Sequence, residues 1–282
     1  MRVGLVAVKL AVLPYGLLLG ERRPGIVILA YHRVGGGTDS EIDLPLAVFE
    51  RQIAYVRDHY PVASMDALLT DTLAARAAAG PPAPDRVVVT FDDGVREIYT
   101  KVFPVLQRYQ VPATVYLVTR HVEEQRPFGL RGYGGRTGGA LPVTWTQVRE
   151  MVESGLVTVG AHTHTHPDLT RLAPGEVADE LDRSRALIEA RVGVAPAHFA
   201  YPWGRVTPAV KRAVAQRFRT AVVGGAGKNV GPALDLLALW RQPVQQSDGF
   251  WLFRQKLKSY LDGEERIRRL CNLLRPHVDG GD

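Results

Sequence analysis

The sequence predicts an α/β protein built as a parallel barrel, and three observations predict it. Short β-branched, strand-like runs alternate with helical patterns, so the strands are read as parallel and joined by crossover helices. At 282 residues and 46% apolar content the chain can bury a large core, and an α/β barrel routinely uses about 200–250 residues as one domain. Two polar segments, at residues 90–94 and 162–166, each follow a strand-like run. That places polar side chains at strand ends, where α/β folds build their sites.

The elements follow in chain order. Val3 to Gly20 is strongly apolar but holds Lys9 and Pro14, and Glu21-Arg22-Arg23-Pro24 after it offers no small-residue cleavage site. Set against the roughly twenty apolar residues of a spanning helix, the stretch is marginal. It reads as a helix packed on the barrel or lying at a membrane surface, ahead of an uncleaved anchor or a poor signal peptide. Strand-like runs occupy 26–32, 87–92, 113–118, 157–161, 198–202 and 220–224. Pro45 to Tyr60 carries a helical stripe at Val48, Ile53 and Val56; Glu176 to Val192 repeats it at Val177, Leu181, Leu187 and Ile188 before Gly193 stops the helix. The glycine-rich stretch Pro127 to Pro142, with Arg131, Tyr133 and Arg136, is no phosphate-binding fingerprint, because no strand leads into its glycines. It is expected as a loop near the site. Phe250, Phe253, Leu257, Tyr260 and Leu261 form one helical face, and Ile267, Leu270, Cys271 and Leu274 another. Lys256, Lys258, Arg266, Arg268, Arg269 and Arg275 are expected to face solvent, and Val278 to Asp282 to fray. The chain thus divides into an apolar segment (1–24), a main domain (25–247) and a helical extension (248–282).

Cys271 is the only cysteine, so no intrachain disulfide can form. The net charge of +6 comes from scattered basic residues without a nucleic-acid motif. No nucleic-acid partner is expected, only mild attraction to anionic surfaces or glycans, with location read as cytoplasmic or membrane-associated rather than secreted.

The chemistry lies in Thr90-Phe91-Asp92-Asp93-Gly94 and His162-Thr163-His164-Thr165-His166. An ion such as Zn²⁺ accepts imidazole nitrogen and carboxylate oxygen, and a catalytic site typically has three protein ligands and one open position. One Asp and two His supply that set. Adjacent aspartates on a strand point opposite ways unless the strand ends and turns, which Gly94 permits. One carboxylate can then bind metal while its neighbour takes a proton from water. Alone, Asp-Asp-Gly is an ordinary turn; paired with an internal histidine tract set between Val157–Ala161 and Pro167-Asp168-Leu169, it points to hydrolysis at a carbonyl.

These segments resemble the first two motifs of the polysaccharide deacetylases of the NodB-homology type, over about residues 26–245. The resemblance implies a distorted (β/α)7-type barrel, with residues 25–247 as the catalytic domain. It further implies a divalent metal ion, Zn²⁺ ahead of Co²⁺ or Ni²⁺, and removal of N-acetyl groups from an amino sugar in a glycan or glycoconjugate. Asp92 is the implied base, and Asp93, His162 and His166 the implied metal ligands; Thr163 holds the loop and His164 faces away. Ala200-Tyr201-Pro202-Trp203-Gly204 matches the third motif, with Trp203 at the position whose backbone N–H stabilises the oxyanion and Tyr201 at an orienting position. Ala200 stands where many members carry an arginine that orients the base, and Arg241 is the candidate replacement. No Leu-x-His motif supplies a general acid. Val27 to Val34 resembles instead the opening strand of a subgroup that includes the biofilm-glycan deacetylases, which makes His32 the implied acid, with His198 and His277 as substitutes. Two other readings use the same residues: deacylation of a non-sugar amide or ester, and a catalytically silent glycan-binding module, suggested by Ala200.

Overall fold

Seven parallel strands close on themselves because Gly25–Tyr31 (β1) pairs on both sides. The computed structural model describes residues 2–19, 23–78, 85–129, 139–231 and 234–262. After β1 come a small pair, Arg33–Val34 (β2) and Asp43–Leu44 (β3), then Arg86–Phe91 (β4), Ala113–Leu117 (β5), Val157–Ala161 (β6), His198–Ala200 (β7), Thr220–Val223 (β8), Asn229–Val230 (β9) and Leu239–Pro243 (β10). The barrel runs β1-β4-β5-β6-β7-β8-β10 and returns to β1 through Ile28↔Arg241, Leu29↔Gln242 and Ala30↔Pro243. Pairing is uneven: β1 and β4 share a register from Ile26↔Arg86 to Tyr31↔Phe91, whereas β6 meets β7 only at Ala161↔Phe199. This unevenness is the distortion that the family resemblance implied. The antiparallel strap β9 seals one seam, where Asn229 Nδ2 donates to the Ile26 and Trp240 carbonyls at 3.2 and 2.8 Å.

Side chains alternate between the two faces of the barrel wall. One set, Ile28, Val88, Tyr116, Ala200, Val222 and Leu239, packs with Met65 and Leu68 of the helix Met65–Ala78. The larger set meets the surrounding helices. Gly160 on β6 is there for space, since a Cβ at that position would lie 2.4 Å from the Tyr116 ring.

Helix Leu46–His59 buries Phe49, Gln52, Ile53 and Val56, with Val48 at the edge of that stripe, and Pro174–Val192 ends at Gly193 in the left-handed conformation (φ 82°). The N-terminal helix Arg2–Leu19 packs on the barrel. Its inner stripe is Lys9, Val12 and Gly16, at helical spacing. Gly16 lets the helix approach closely, for a Cβ there would meet the Tyr260 carbonyl oxygen at 1.8 Å. A buried ammonium needs acceptors, and Lys9 Nζ donates to Gln245 Oε1 (3.1 Å), Ser247 Oγ (2.6 Å) and Asp248 Oδ1 (2.6 Å). Among the described residues no helix is long and apolar enough to cross a membrane.

Several expectations change. The seventh barrel strand, β10, was not predicted, because Trp240-Arg241-Gln242 breaks the apolar pattern; the wall buries Arg241 and Gln242 and exposes Trp240. The run at 198–202 is a strand only as far as Ala200. Lys256, expected to face solvent, is 1% exposed, and its Nζ donates to Asp248 Oδ2 at 2.8 Å and to the Pro243 carbonyl at 2.7 Å. The last described helix, Gly249–Leu257, ends before Tyr260 and Leu261, so these two lie beyond the predicted helical face. Arg131, Tyr133 and Arg136 of the glycine-rich loop, Cys271 with its apolar and basic neighbours from 263 onward, and His277 lie outside the described residues.

Candidate metal and active site

The two chemistry-bearing segments sit at neighbouring strand ends on the same rim of the barrel. Along β4 the inward row Val88, Thr90 continues into Asp92, whose N–H donates to the Tyr31 carbonyl at 3.0 Å and keeps it in strand register. Asp93 then adopts a left-handed conformation (φ 70°) and Gly94 another (φ 87°). The turn that sends both carboxylates to one side therefore begins one residue earlier than Gly94. On β6 the row Thr158, Gly160 leads to His162, and Thr163 and His166 take φ values of 66° and 65°. Left-handed non-glycine residues cost about 1–3 kcal/mol each and persist where the surroundings over-determine them. Here Thr163 Oγ1 donates to the His162 carbonyl (2.5 Å) and accepts from the His166 N–H (3.0 Å). Glu180, on Pro174–Val192, accepts from the His164 and Thr165 N–H groups, both at 2.8 Å, and from Thr165 Oγ1 at 2.6 Å. No sequence signal marked Glu180, because it meets the histidine loop from 15 and 16 positions away, mostly through backbone N–H groups.

The result is a cluster of Asp93, His162 and His166. Asp93 Oδ1 lies 3.7 Å from His162 Nε2 and 3.6 Å from His166 Nε2, with all donor atoms within 4.8 Å of one another. Tetrahedral coordination at bonds of about 2.0–2.2 Å requires separations of roughly 3.3 Å, so small shifts suffice. The tautomer also fits: His162 Nδ1 donates to the Ala200 carbonyl at 2.7 Å, which leaves the Nε2 lone pair facing Asp93. Burial pushes His162 down to about 3, and it lowers His166 as well, so both rings are neutral donors. Burial also pushes Asp93 up to about 7, with the Asp92 charge adding to the effect and His32 and Arg241 opposing it. One buried carboxylate beside two neutral imidazoles is a donor set that a divalent ion fits. His164 lies apart, its Nδ1 3.0 Å from Thr119 Oγ1.

Asp92 is managed differently. Burial would raise its carboxyl, but the Arg241 charge, joined by His162, by Arg241's hydrogen bonds and by His32, holds it well below the usual carboxylate range. Arg241 donates from Nη1 to Oδ1 at 2.5 Å and from Nη2 to Oδ2 at 2.6 Å, a bidentate clamp with both side chains buried. The guanidinium thus comes from β10, while Ala200 on β7 packs in the apolar set with Tyr116.

His32 follows β1, with Nε2 3.8 Å from Asp92 Oδ2 and its buried Nδ1 unpartnered among the described residues. Trp203 is left-handed (φ 59°) and 64% exposed, with its ring 5.2 Å from the His166 ring. The hydrogen bonds of its turn run from Gly204 N–H to Tyr201 O and from Arg205 N–H to Pro202 O, and among the described residues the Trp203 N–H is unused. Tyr201 is buried, and its hydroxyl donates to the Leu237 carbonyl at 3.1 Å. His198 is far from this rim in the barrel: it opens β7, with Nδ1 2.8 Å from Thr220 Oγ1 and Nε2 2.9 Å from Asp66 Oδ1. Both of its nitrogens are engaged, which removes it as a substitute acid.

A cleft of about 990 Å³ joins these groups. Its walls include residues that the sequence reading missed: His121 stacked on Phe128 at 4.2 Å, the Gly224-Gly225 pair, and Gln245. The glycines carried a readable signal. Gly204 and Gly224 cross so closely that a Cβ on Gly204 would lie 2.3 Å from the Gly224 Cα.

Comparison with known proteins gives a consistent match. A family model for polysaccharide deacetylase matches residues 79–222. The putative polysaccharide deacetylase YxkH of Bacillus subtilis is 25% identical over 187 residues, 66% of this chain and 59% of the relative. The poly-beta-1,6-N-acetyl-D-glucosamine N-deacetylase of Escherichia coli is 28% identical over 159 residues, 54% of this chain and 23% of the relative. The chain thus spans less than two thirds of either relative. In fold it is similar to the Streptococcus pyogenes deacetylase PplD in complex with acetate, with a TM-score of 0.69, 22% identity and coverage of 83% of this chain and 99% of the other.

If the trio holds one ion, replacing Asp93, His162 or His166 by Ala should weaken metal affinity by more than the about 10–100-fold typical of outer-shell partners. His164→Ala should keep the wild-type stoichiometry. Metal content after equilibrium dialysis measures both, and full occupancy in His166→Ala would overturn the assignment.

Proposed function

The chain belongs to the polysaccharide deacetylase family, and we propose that it hydrolyses N-acetyl groups from an amino sugar in a glycan or glycoconjugate, releasing acetate. The observation that carries this reading is the Asp93, His162 and His166 cluster beside a separate carboxylate, Asp92, clamped by Arg241. Named relatives that act on poly-beta-1,6-N-acetyl-D-glucosamine and on chitooligosaccharides support an N-acetylglucosamine-containing substrate.

Asp93, His162 and His166 would hold a divalent ion, Zn²⁺ ahead of Co²⁺ or Ni²⁺, which would supply Lewis acidity for the hydrolysis. Asp92 accepts the proton of that water as its oxygen bonds to the carbonyl carbon. Arg241 uses one lone pair on each Asp92 oxygen, which fixes the carboxylate plane and leaves the other lone pairs for the proton. The low proton affinity that Arg241 imposes keeps Asp92 ionised across the working range. The Trp203 N–H donates to the developing oxyanion, a role its left-handed turn suits because the group is not spent on the turn itself. His32 gives a proton to the sugar nitrogen as the C–N bond breaks, and its place 3.8 Å from Asp92 lets the proton taken from water return to the imidazole. The products are the free amine and acetate.

For location, we propose peripheral membrane contact. The N-terminal helix turns its lysine inward, and the exposed positions Leu10, Tyr15, Leu17 and Leu18 present an uncharged outer face.

Purified protein supplied with Zn²⁺ should release acetate from N-acetylglucosamine oligomers in preference to O-acetyl esters and non-sugar amides. Asp92→Asn should bind metal normally yet lose about 10²–10⁴-fold in turnover. Acetate release confined to esters or non-sugar amides would favour the alternative deacylase, and glycan binding without turnover the silent module. His32→Ala should cut turnover of an amide far more than that of an activated ester, whose leaving group needs no proton; equal losses would make His32 a structural residue. Leu10→Glu with Leu18→Glu should weaken co-sedimentation with anionic vesicles, and unchanged sedimentation would dismiss the lipid contact.

A further inference from the structure

We propose that Gln245 is a substrate-binding residue and that Lys9, from the N-terminal helix, is the positioning residue that aims it; this rests on the deacetylation reading above. Gln245 stands two residues beyond β10, 8% exposed, in the wall of the cleft with His32 and Pro243. Its backbone is fixed by an N–H bond to Asp248 Oδ2 at 2.7 Å. Its side chain is fixed by Lys9, whose Nζ donates to Oε1 at 3.1 Å. An ammonium has donors only, so it can face the amide oxygen and not the nitrogen. The flip that is otherwise ambiguous in a glutamine is thereby decided by chemistry. Nor can Lys9 swing aside, because Ser247 Oγ and Asp248 Oδ1, each at 2.6 Å, hold its remaining donors.

The consequence falls on the other end of the amide. Among the described residues the Gln245 NH₂ has no partner, and it is not sealed from solvent. A donor held rigidly in a cleft wall calls for an oxygen acceptor, which in a glycan is a hydroxyl or glycosidic oxygen. Ordering costs are already met in the free protein, which favours affinity. The N-terminal helix is then part of the site it flanks, through a contact spanning 236 residues of sequence. Loss of Lys9 need not strand Asp248, which keeps Lys256 at 2.8 Å.

The test is kinetic, on β-1,6- and β-1,4-linked N-acetylglucosamine pentamers. Gln245→Glu keeps the shape and the tie to Lys9 but replaces the NH₂ donor with oxygen. KM should rise about 5–10-fold with kcat within about twofold, as expected when one neutral hydrogen bond is lost from uniform binding. Lys9→Met should raise KM about 2–5-fold, and this increment should vanish in a Gln245→Ala background while its effect on the thermal midpoint persists there. A Lys9 that only braces the fold would lower the midpoint in both backgrounds and shift KM in neither, which would overturn the positioning role. An active wild type with an indifferent Gln245→Glu overturns the binding role alone. A wild type that releases no acetate from either pentamer overturns the function proposed above, and this inference with it.

Discussion

The buried pair of Arg241 and Asp92 organises the upper barrel. Two charges with side chains 7% and 4% exposed lie in bidentate contact, and removing one partner from such a pair typically costs about 3–5 kcal/mol because the other is left buried and unpaired. The pair is also an accounting of charge. Arg241 neutralises Asp92, so Asp93 and the neutral rings of His162 and His166 form a separate donor set suited to a divalent ion. Without the guanidinium, two carboxylates would compete for that cation and the division of labour between base and ligand would blur. Barrel closure serves this pair directly, since Arg241 reaches Asp92 only because β10 returns to lie beside β1, itself the neighbour of β4.

How much of this was legible depends on sequence distance. The Asp-Asp-Gly and His-Thr-His-Thr-His segments keep their partners within a few residues, and a strand-like run announces each of them, so the parallel barrel and a metal-binding set of one Asp and two His could be read directly, while the choice among those residues came from the family resemblance. Arg241 and Asp92 are separated by 149 positions; only the gap left by Ala200 raised the question that Arg241 answers. The strand carrying Arg241 went unread for the same reason, because a wall that buries Arg241 and Gln242 leaves no apolar alternation to detect. Lys256 shows the opposite error. A lysine on an amphipathic helix is assigned to solvent by pattern, and nothing local reveals that Asp248 and the Pro243 carbonyl wait for it inside. Glu180 and Gln245 were illegible because their roles arise from backbone groups and from an ammonium brought in from the far end of the chain.

Conformation carries a further part of the site that residue identity does not display. Asp93, Thr163, His166 and Trp203 all sit in the left-handed region, a conformation disfavoured for side chains of their kind. Three of them are held by identifiable neighbours: Gly94 continues the turn at Asp93, and the Thr163 hydroxyl with the Glu180 carboxylate secures the histidine loop. Rigid strands deliver the side chains to the rim, and these turns rotate them inward. The division matches the general pattern in which a regular scaffold sets position and strained termini set aim.

The seat of the N-terminal helix bears on the order in which the chain can fold. Lys9, made well before the residues it binds, shares Asp248 with Lys256, near the end of the last described helix. β1 likewise waits for β10 before its second edge is covered. A chain made from the N-terminal side must therefore hold an apolar helix and an open strand edge without these partners until more than about 200 further residues have been synthesised. At about 5–20 residues per second that interval lasts on the order of ten seconds or more, long compared with the microsecond-scale collapse of small chains. During it the nascent helix lacks its native seat, and closure of the barrel has to wait until β10 has been made.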